Sequence, residues 1–272
     1  MFRFQFAVVC VCVLALAGTV QANTITHNGV LLFSDNFESQ FVGSNPSTFD
    51  ISSGLGQWEV NGPDIALVVD DANPPNPGAF EGSKYLHMAR GNGIYTGRGI
   101  GDNPVDTGLI HAEMMVYQED PGVFFTHGAS AGGEGQNSTT ALALDALNDG
   151  TLMRNTGSYA TLGLLQAAGG GNLTYIEDQW QKWEFDIDLD SDTYVVTIDG
   201  VPSASTALNT GLTTDDGNST PIDPSIRWIG ARMSGTNAPS VVYFDAVPEP
   251  STVVLLLISL VGLVVGFGRR SK

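Results

Sequence analysis

Between residues 23 and 246, apolar and polar positions alternate along the chain with a period of two. In the clearest segment, Ile110, Ala112, Met114 and Val116 alternate with His111, Glu113, Met115 and Tyr117. Successive side chains of a strand point to opposite faces of its sheet, so this pattern predicts a strand with one buried face. We find no long amphipathic helical pattern in this part of the chain, which predicts an all-β domain.

Two further pairs of segments predict β-hairpins. Apolar residues line one face of 183–189 and of 194–198, and Asp190-Ser191-Asp192 between them can turn the chain. Leu142–Leu147 is followed by Asn148-Asp149-Gly150 and then by residues 151–154, and an Asp-Gly pair between apolar strands favours a tight turn.

Shorter strands are predicted at 122–126, 226–233 and 241–247, with glycine and proline clusters between the segments and a polar loop at 210–224. Many short strands separated by such turns are typical of a β-sandwich or a barrel. We therefore expect one β-domain over residues 23–246.

Three stretches of this domain resemble the concanavalin A-like, laminin-G-like jelly-roll family: Phe33–Glu38, the hairpin from Trp183 to Gly200, and Val241–Asp245. The resemblance covers residues 31–247. It implies an antiparallel jelly-roll β-sandwich in which the first and last strands pair, and it implies little about activity.

The C-terminal end of the chain reads as a membrane segment. Val253–Phe267 is almost wholly apolar and is followed by Arg269, Arg270 and Lys272. As a helix, residues 252–268 would rise roughly 25 Å, which is a short bilayer span. Flanking cations stay on the cytoplasmic side, which would place the rest of the chain outside. The alternative is a buried C-terminal core helix.

Immediately before this segment stand Pro248, Glu249 and Pro250. The order of tripeptide, apolar helix and basic end resembles the PEP-CTERM sorting signal of Gram-negative, exopolysaccharide-producing bacteria. The resemblance implies that residues 247–272 address the protein to an exosortase, a membrane-embedded transpeptidase that removes the helix. The protein would be membrane-anchored in transit and then reside at the cell surface or in the extracellular matrix.

The N-terminal end predicts a secretory signal peptide over residues 1–22. Arg3 precedes an almost wholly apolar run, and small residues lead to a cleavage site between Ala22 and Asn23. The alternative is an uncleaved anchor. Both cysteines, Cys10 and Cys12, lie in this segment, so the mature domain has no disulfides and no thiolate chemistry.

The mature domain is strongly acidic. Residues 23–246 hold seven basic and 28 acidic residues, a net charge of −21. This charge argues against nucleic acid as a partner, since nucleic acid requires a cationic face. It is compatible with neutral sugars or divalent cations, and it also favours solubility.

Acidic residues near the two ends of the domain predict a structural calcium site. Asp35 and Glu38 open the domain and Asp245 closes it, so adjacent end strands would bring their oxygens together. Calcium prefers carboxylate and carbonyl oxygens. The alternative is that these side chains cap turns or face water. Asp70-Asp71 is a weaker candidate. The four scattered histidines do not have zinc-ligand spacing.

The segment from Glu184 to Asp190 is the candidate catalytic strand. Alternation places Glu184, Asp186, Asp188 and Asp190 on one face, and glycoside hydrolysis uses two carboxylates. The segment resembles the catalytic strand of laminarinase-like hydrolases, but the final Glu of that pattern is replaced by Asp188. The alternative reading is the solvent face of a hairpin.

Sugar-binding sites stack aromatic rings on pyranose faces. The available rings are four tryptophans and five tyrosines: Trp58, Trp180, Trp183, Trp228, Tyr85, Tyr95, Tyr117, Tyr159 and Tyr175. The core is the more common place for Trp58 and Trp228. Trp183 is in phase with the core, whereas Trp180 precedes its strand and is the candidate for exposure.

We therefore predict an exported, non-catalytic surface or matrix protein that associates with extracellular polysaccharide. The alternatives are a polysaccharide-degrading hydrolase and a purely structural or adhesive protein.

Overall fold

The computed structural model describes the β-domain in segments: residues 23–46, 58–60, 66–72, 77–89, 94–99, 105–119, 123–128, 140–147, 149–155, 161–209, 212–213, 221–222, 226, 228–233 and 241–245. These segments lie within residues 22–247, which form one compact unit. The predicted signal peptide and the sorting segment lie outside the described residues. No helix within the described segments is long and apolar enough to cross a membrane.

The regular structure of these segments is all β-strand. The first half contains β1 Asn23–His27, β2 Val30–Asp35, β3 Trp58–Val60, β4 Ala66–Asp70, β5 Lys84–Ala89, β6 Ile94–Gly99, β7 Leu109–Gln118, β8 Val123–Gly128 and β9 Thr140–Ala146. The second half contains β10 Leu152–Asn155, β11 Thr161–Leu164, β12 Trp180–Asp188, β13 Thr193–Ile198, β14 Val201–Pro202, β15 Thr206–Ala207, β16 Leu212–Thr213, β17 Pro221–Ile222, β18 Trp228–Met233 and β19 Val241–Asp245.

Two antiparallel sheets share one core. Sheet A has the order β14-β13-β12-β7-β19-β5-β4, with β1 on β7, β2 on β1 and β15 on β13. Sheet B has the order β11-β10-β9-β8-β18-β6-β3, and β16 and β17 form a small separate ribbon. Apolar side chains of both sheets, such as Phe185 of sheet A and Leu144 of sheet B, belong to one buried cluster.

The connectivity alternates between the sheets. The chain runs through β4 and β5 in sheet A, β6 in sheet B, β7 in sheet A, β8 to β11 in sheet B, and β12 to β14 in sheet A, before β18 in sheet B and β19 in sheet A. The predicted all-β, antiparallel jelly-roll sandwich is confirmed.

The alternation patterns are confirmed at residue level. Ile110, Ala112, Met114 and Val116 of β7 are buried, as are Trp183, Phe185, Ile187 and Leu189 in and after β12. β12 and β13 pair in the predicted hairpin, with Trp183 opposite Ile198. β9 and β10 form the other predicted hairpin.

The predicted opening strand and the predicted pairing of the end strands are both wrong. The predicted opening strand at residues 33–38 is the second strand, and it ends at Asp35; β1 precedes it through a turn at Asn28 and Gly29, whose φ values are 49° and 76°. The first and last strands do not pair with each other. Both pair with the same edge of β7, with Thr24 opposite Glu113 and Asp245 opposite Met115.

The two strands therefore lie end to end along β7.

Candidate functional site

The face of sheet A that points away from the core carries a cluster of aromatic side chains. We call this face the outer face, and its cluster the aromatic patch: Phe80, Tyr85, His87, Tyr117, Trp180 and Tyr243. Strand register creates the patch, because Trp180 of β12 and Tyr243 of β19 both lie opposite Tyr117 of β7, and Tyr243 also lies opposite His87 of β5.

The rings of the patch form a continuous contact network. The Trp180 ring centre lies 5.6 Å from that of Tyr117, 6.1 Å from Phe80 and 6.2 Å from Tyr85. Tyr243 stacks on His87 at 4.9 Å and contacts Tyr117 at 5.8 Å. Tyr85 and Tyr243 are buried, Tyr117, Trp180 and His87 are half-buried, and Phe80 is 40% exposed. The patch thus has a supported base and an accessible rim.

A connection between β4 and β5 holds the exposed edge of the patch. The Trp180 indole N–H donates to the Gly78 carbonyl at 3.0 Å. The Asp245 carboxylate accepts hydrogen bonds from the backbone N–H groups of Phe80 and Glu81. These contacts hold the backbone at Gly78, Phe80 and Glu81.

Next to the patch, the outer face carries five charged side chains on β7 and β12. We call this set the charged cluster: His111, Glu113, Lys182, Glu184 and Asp186. The Lys182 ammonium lies 2.9 Å from a carboxylate oxygen of Glu113 and 2.9 Å from one of Glu184. His111 Nδ1 lies 2.7 Å from Asp186, and its Nε2 lies 3.9 Å from Glu113.

These contacts fix the charge states of two members. Glu113 and Asp186 raise the pKa of His111 to about 9, against the opposing effect of burial. By distance, the Asp186 contact is the stronger of the two. In return, His111, together with Lys182, lowers the pKa of Glu113 to about 2. At neutral pH the cluster therefore contains an imidazolium and an ionised Glu113.

His111, Glu113 and Glu184 also form a possible metal-ligand group, since one ligand atom of each lies within 4.8 Å of the others. At neutral pH a divalent metal would have to displace the proton of His111, because a histidine ligand must be neutral. Lys182 already supplies a cation to both glutamates.

Among the predicted calcium residues, Asp35 ends β2 and Asp245 ends β19, and each of the three caps a loop. Asp35 accepts from the Phe37 N–H at 2.8 Å and from the Gln40 amide at 3.1 Å. Glu38 accepts from the N–H groups of Ser83 and Lys84, and Asp245 accepts from the loop before β5.

The Lys84 ammonium donates hydrogen bonds to the carbonyls of Glu38 and Gln40. These carbonyl oxygens are of the kind that calcium would bind, and they already contact a cationic side chain. Within the described residues, the one group whose candidate ligand atoms all approach within 4.8 Å does not include Asp35, Glu38 or Asp245. These contacts account for the three carboxylates as turn caps, and calcium there stays a prediction.

The predicted catalytic strand divides into two parts. Glu184 and Asp186 lie on the outer face, opposite Glu113 and His111 of β7. Asp188 accepts from the N–H groups of Asp190 and Ser191, and Asp190 accepts from the Gly108 N–H. The last two carboxylates therefore cap turns. Sequence reasoning missed Glu113, which only the pairing of β7 with β12 places beside Glu184.

The predicted core position of Trp183 is confirmed, whereas Trp180 begins β12 instead of preceding it. Trp183 is 1% exposed in the core, and Trp180 is half-buried on the outer face. The side chains of Trp58 and Trp228 lie outside the described residues, as do Ala22 and the tripeptide Pro248, Glu249 and Pro250.

The C-terminal segment has a family match. Residues 246–272 match the PEP-CTERM protein-sorting motif. This match confirms the predicted sorting signal. The protein is exported, is processed by an exosortase, a membrane enzyme, and is anchored in the membrane transiently before it reaches the surface or the extracellular space.

Comparison with curated proteins found no match. Among solved structures, the chain is similar to a sialidase, with 12% identity, a TM-score of 0.49, and coverage of 84% of this chain but only 18% of that one. It is also similar to a GH131 β-glucanase catalytic domain from Podospora anserina (11% identity, TM-score 0.44, 82% and 97% covered). A third is a Lotus tetragonolobus seed lectin (13%, 0.35, 72% and 99%).

Proposed function

We propose that the exported domain is a non-catalytic protein that binds extracellular polysaccharide through the outer face of sheet A. The aromatic patch is the observation that carries this proposal. Phe80, Tyr117 and Trp180 offer accessible ring surface, while buried rings beneath them hold them in place. Aromatic side chains that combine an apolar ring with a polar group suit ligands that are themselves amphipathic, such as pyranose sugars.

The position of the patch supports binding over a purely structural role. Its rings face away from the core that the two sheets share, so they are not needed to fill the sandwich. The charged cluster lies directly beside them and supplies hydrogen-bond donors and acceptors suited to sugar hydroxyls. Binding sites typically combine an apolar surface with a few fixed polar groups.

A glycoside hydrolase is the second candidate, and one observation favours it. Glu113 and Glu184 lie opposite each other, with an oxygen of each within 4.8 Å. Retaining hydrolases separate their two carboxyl groups by about 5–5.5 Å.

The surroundings of this pair favour binding. Hydrolysis needs one protonated carboxyl as a general acid. Lys182 bridges the two glutamates, and the pKa of Glu113 is lowered to about 2. A carboxylate paired with an ammonium group is a poor proton donor.

The test is the binding of recombinant residues 23–247 to a panel of polysaccharides that includes the extracellular matrix polysaccharide of the bacterium that makes the protein. We expect saturable binding that Phe80→Ala weakens about two- to tenfold. Phe41→Ala is the matched control, since Phe41 is 77% exposed and lies outside the patch. Equal effects of the two substitutions, or no binding to any polysaccharide, would contradict the proposal.

Measuring reducing ends in the same mixtures of domain and polysaccharide distinguishes binding from hydrolysis. Release of new reducing ends by the wild-type domain, lost in Glu184→Gln, would replace the binding proposal with the hydrolase.

A further inference from the structure

We infer that the aromatic patch recognises polysaccharides whose sugars carry free amino groups, such as a de-N-acetylated hexosamine polymer. This inference rests on the proposed function and names its ligand class. It follows from the carboxylates that lie around the patch among the described residues.

Carboxylates lie around the patch on several sides. Glu119 accepts a hydrogen bond from the Tyr243 hydroxyl at 2.9 Å, and Asp71 accepts from the Ala79 N–H, next to Phe80. The negative charges of Asp178 and Glu119 add to the effect of burial in raising the pKa of Tyr117. Asp71, Asp70 and Asp245 act in the same direction on Tyr85.

The described cations of the outer face are engaged by groups other than Asp71, Asp178 and Glu119. Lys182 is shared between Glu113 and Glu184, and His111 lies between Asp186 and Glu113. Lys84 donates to two backbone carbonyls at the sheet end. Burial lowers the pKa of His87, which keeps that imidazole neutral at neutral pH.

An ammonium group is attracted by both features of the patch. The face of an aromatic ring attracts a cation through its quadrupole, and nearby carboxylates add a Coulombic attraction. A uronic-acid polymer would instead meet like charge.

The experiment compares short glucosamine oligomers with N-acetylglucosamine oligomers of the same length. Binding to the full chain, solubilised in mild detergent, is measured by calorimetry at low and at physiological salt. We expect the glucosamine oligomer to bind more tightly, by about two- to fivefold per ammonium group in contact with the patch. Added salt should reduce the difference, because it screens charge.

Generic attraction to an acidic protein is separated by paired variants. Asp178→Asn and Glu119→Gln remove charge at the patch, whereas Asp192→Asn removes an exposed charge in the turn between β12 and β13. We expect the first two to weaken glucosamine binding about two- to fivefold and the third to leave it unchanged.

Phe80→Ala, which alters no charge, should also weaken it. Equal losses in all three charge variants, with none in Phe80→Ala, would assign the binding to net charge and overturn the inference.

Two outcomes distinguish this inference from the proposed function. Equal or tighter binding of the acetylated oligomer would overturn the amino-sugar preference and leave polysaccharide binding standing. If neither oligomer binds but another polysaccharide of the panel does, the amino-sugar preference is again overturned and polysaccharide binding stands. Absence of binding to every polysaccharide would overturn both.

Discussion

His111 is a residue through which the outer face responds to pH. Its pKa is raised to about 9 by Glu113 and Asp186, whereas the pKa of a histidine in an unfolded chain is about 6.5. A group whose pKa is higher in the folded state than in the unfolded state stabilises the fold. This stabilisation is complete at a pH below the unfolded-state pKa and is lost as the pH rises through the folded-state pKa. We therefore expect the contribution of His111 to the free energy of unfolding to fall between about pH 6.5 and about pH 9.

Urea denaturation across this range, in wild type and in His111→Gln, measures that contribution. In the variant, the free energy of unfolding should fall less steeply with pH, because the contribution of His111 is absent. An identical slope in both proteins would show that the imidazolium does not couple to folding.

Asp35, Glu38 and Asp245 are residues whose type could be predicted but whose partners could not. Their carboxylates were predicted to converge on calcium, yet each accepts from N–H groups of nearby loops. The donors to Glu38 and Asp245 come from segments distant in sequence, which sequence alone does not place, whereas those to Asp35 lie within five residues of it.

Calcium removal tests the predicted ion directly. The calcium hypothesis expects a lower Tm in EDTA, restored by added calcium but not by magnesium, because binding to the folded state alone stabilises it. An unchanged Tm would leave the three carboxylates as turn caps only.

At the scale of the element, β12 separates the two faces of sheet A residue by residue. Phe185 is 0% exposed in the shared core, and its neighbour Asp186 lies on the outer face. Phe185→Ala should lower the free energy of unfolding by about 3–5 kcal/mol, as large-to-small core substitutions do. Asp186→Ala, the control one position along, should cost less than about 1 kcal/mol, since it breaks one exposed ion pair.

Chemical denaturation of the two variants gives both values. Equal losses would mean that the alternation does not define the buried face.

The strands were predictable where apolar alternation is strong, as in β7, β12 and β13. β1 was missed because its buried positions include Asn23 and Thr24, which have no hydrophobic pattern. The Asn28-Gly29 pair was the available indication of that hairpin. The aromatic patch was not predictable, because it depends on β5, β7, β12 and β19 being neighbours in one sheet. Only Trp180 was identified in advance as a candidate for exposure.

At the scale of the whole molecule, the folded domain and its address are separable. The described core ends with β19 at Asp245, and the sorting match covers residues 246–272. We expect Pro248→Ala with Glu249→Ala to abolish removal of the C-terminal segment, because the change alters the tripeptide at the start of the sorting motif. The precursor should accumulate in the membrane fraction, with a mass that retains the C-terminal segment. Its domain should melt as wild type does, since no described core residue is changed.

Ser251→Ala, beside the tripeptide, is the control and should be processed normally. Mass spectrometry of the surface and membrane fractions measures the mass of the wild-type protein, the double variant and Ser251→Ala. Normal processing of the double variant would refute the tripeptide as the recognised element. A shifted Tm in that variant would instead show that the tail contributes to the folded domain, so the two readouts keep sorting and stability apart.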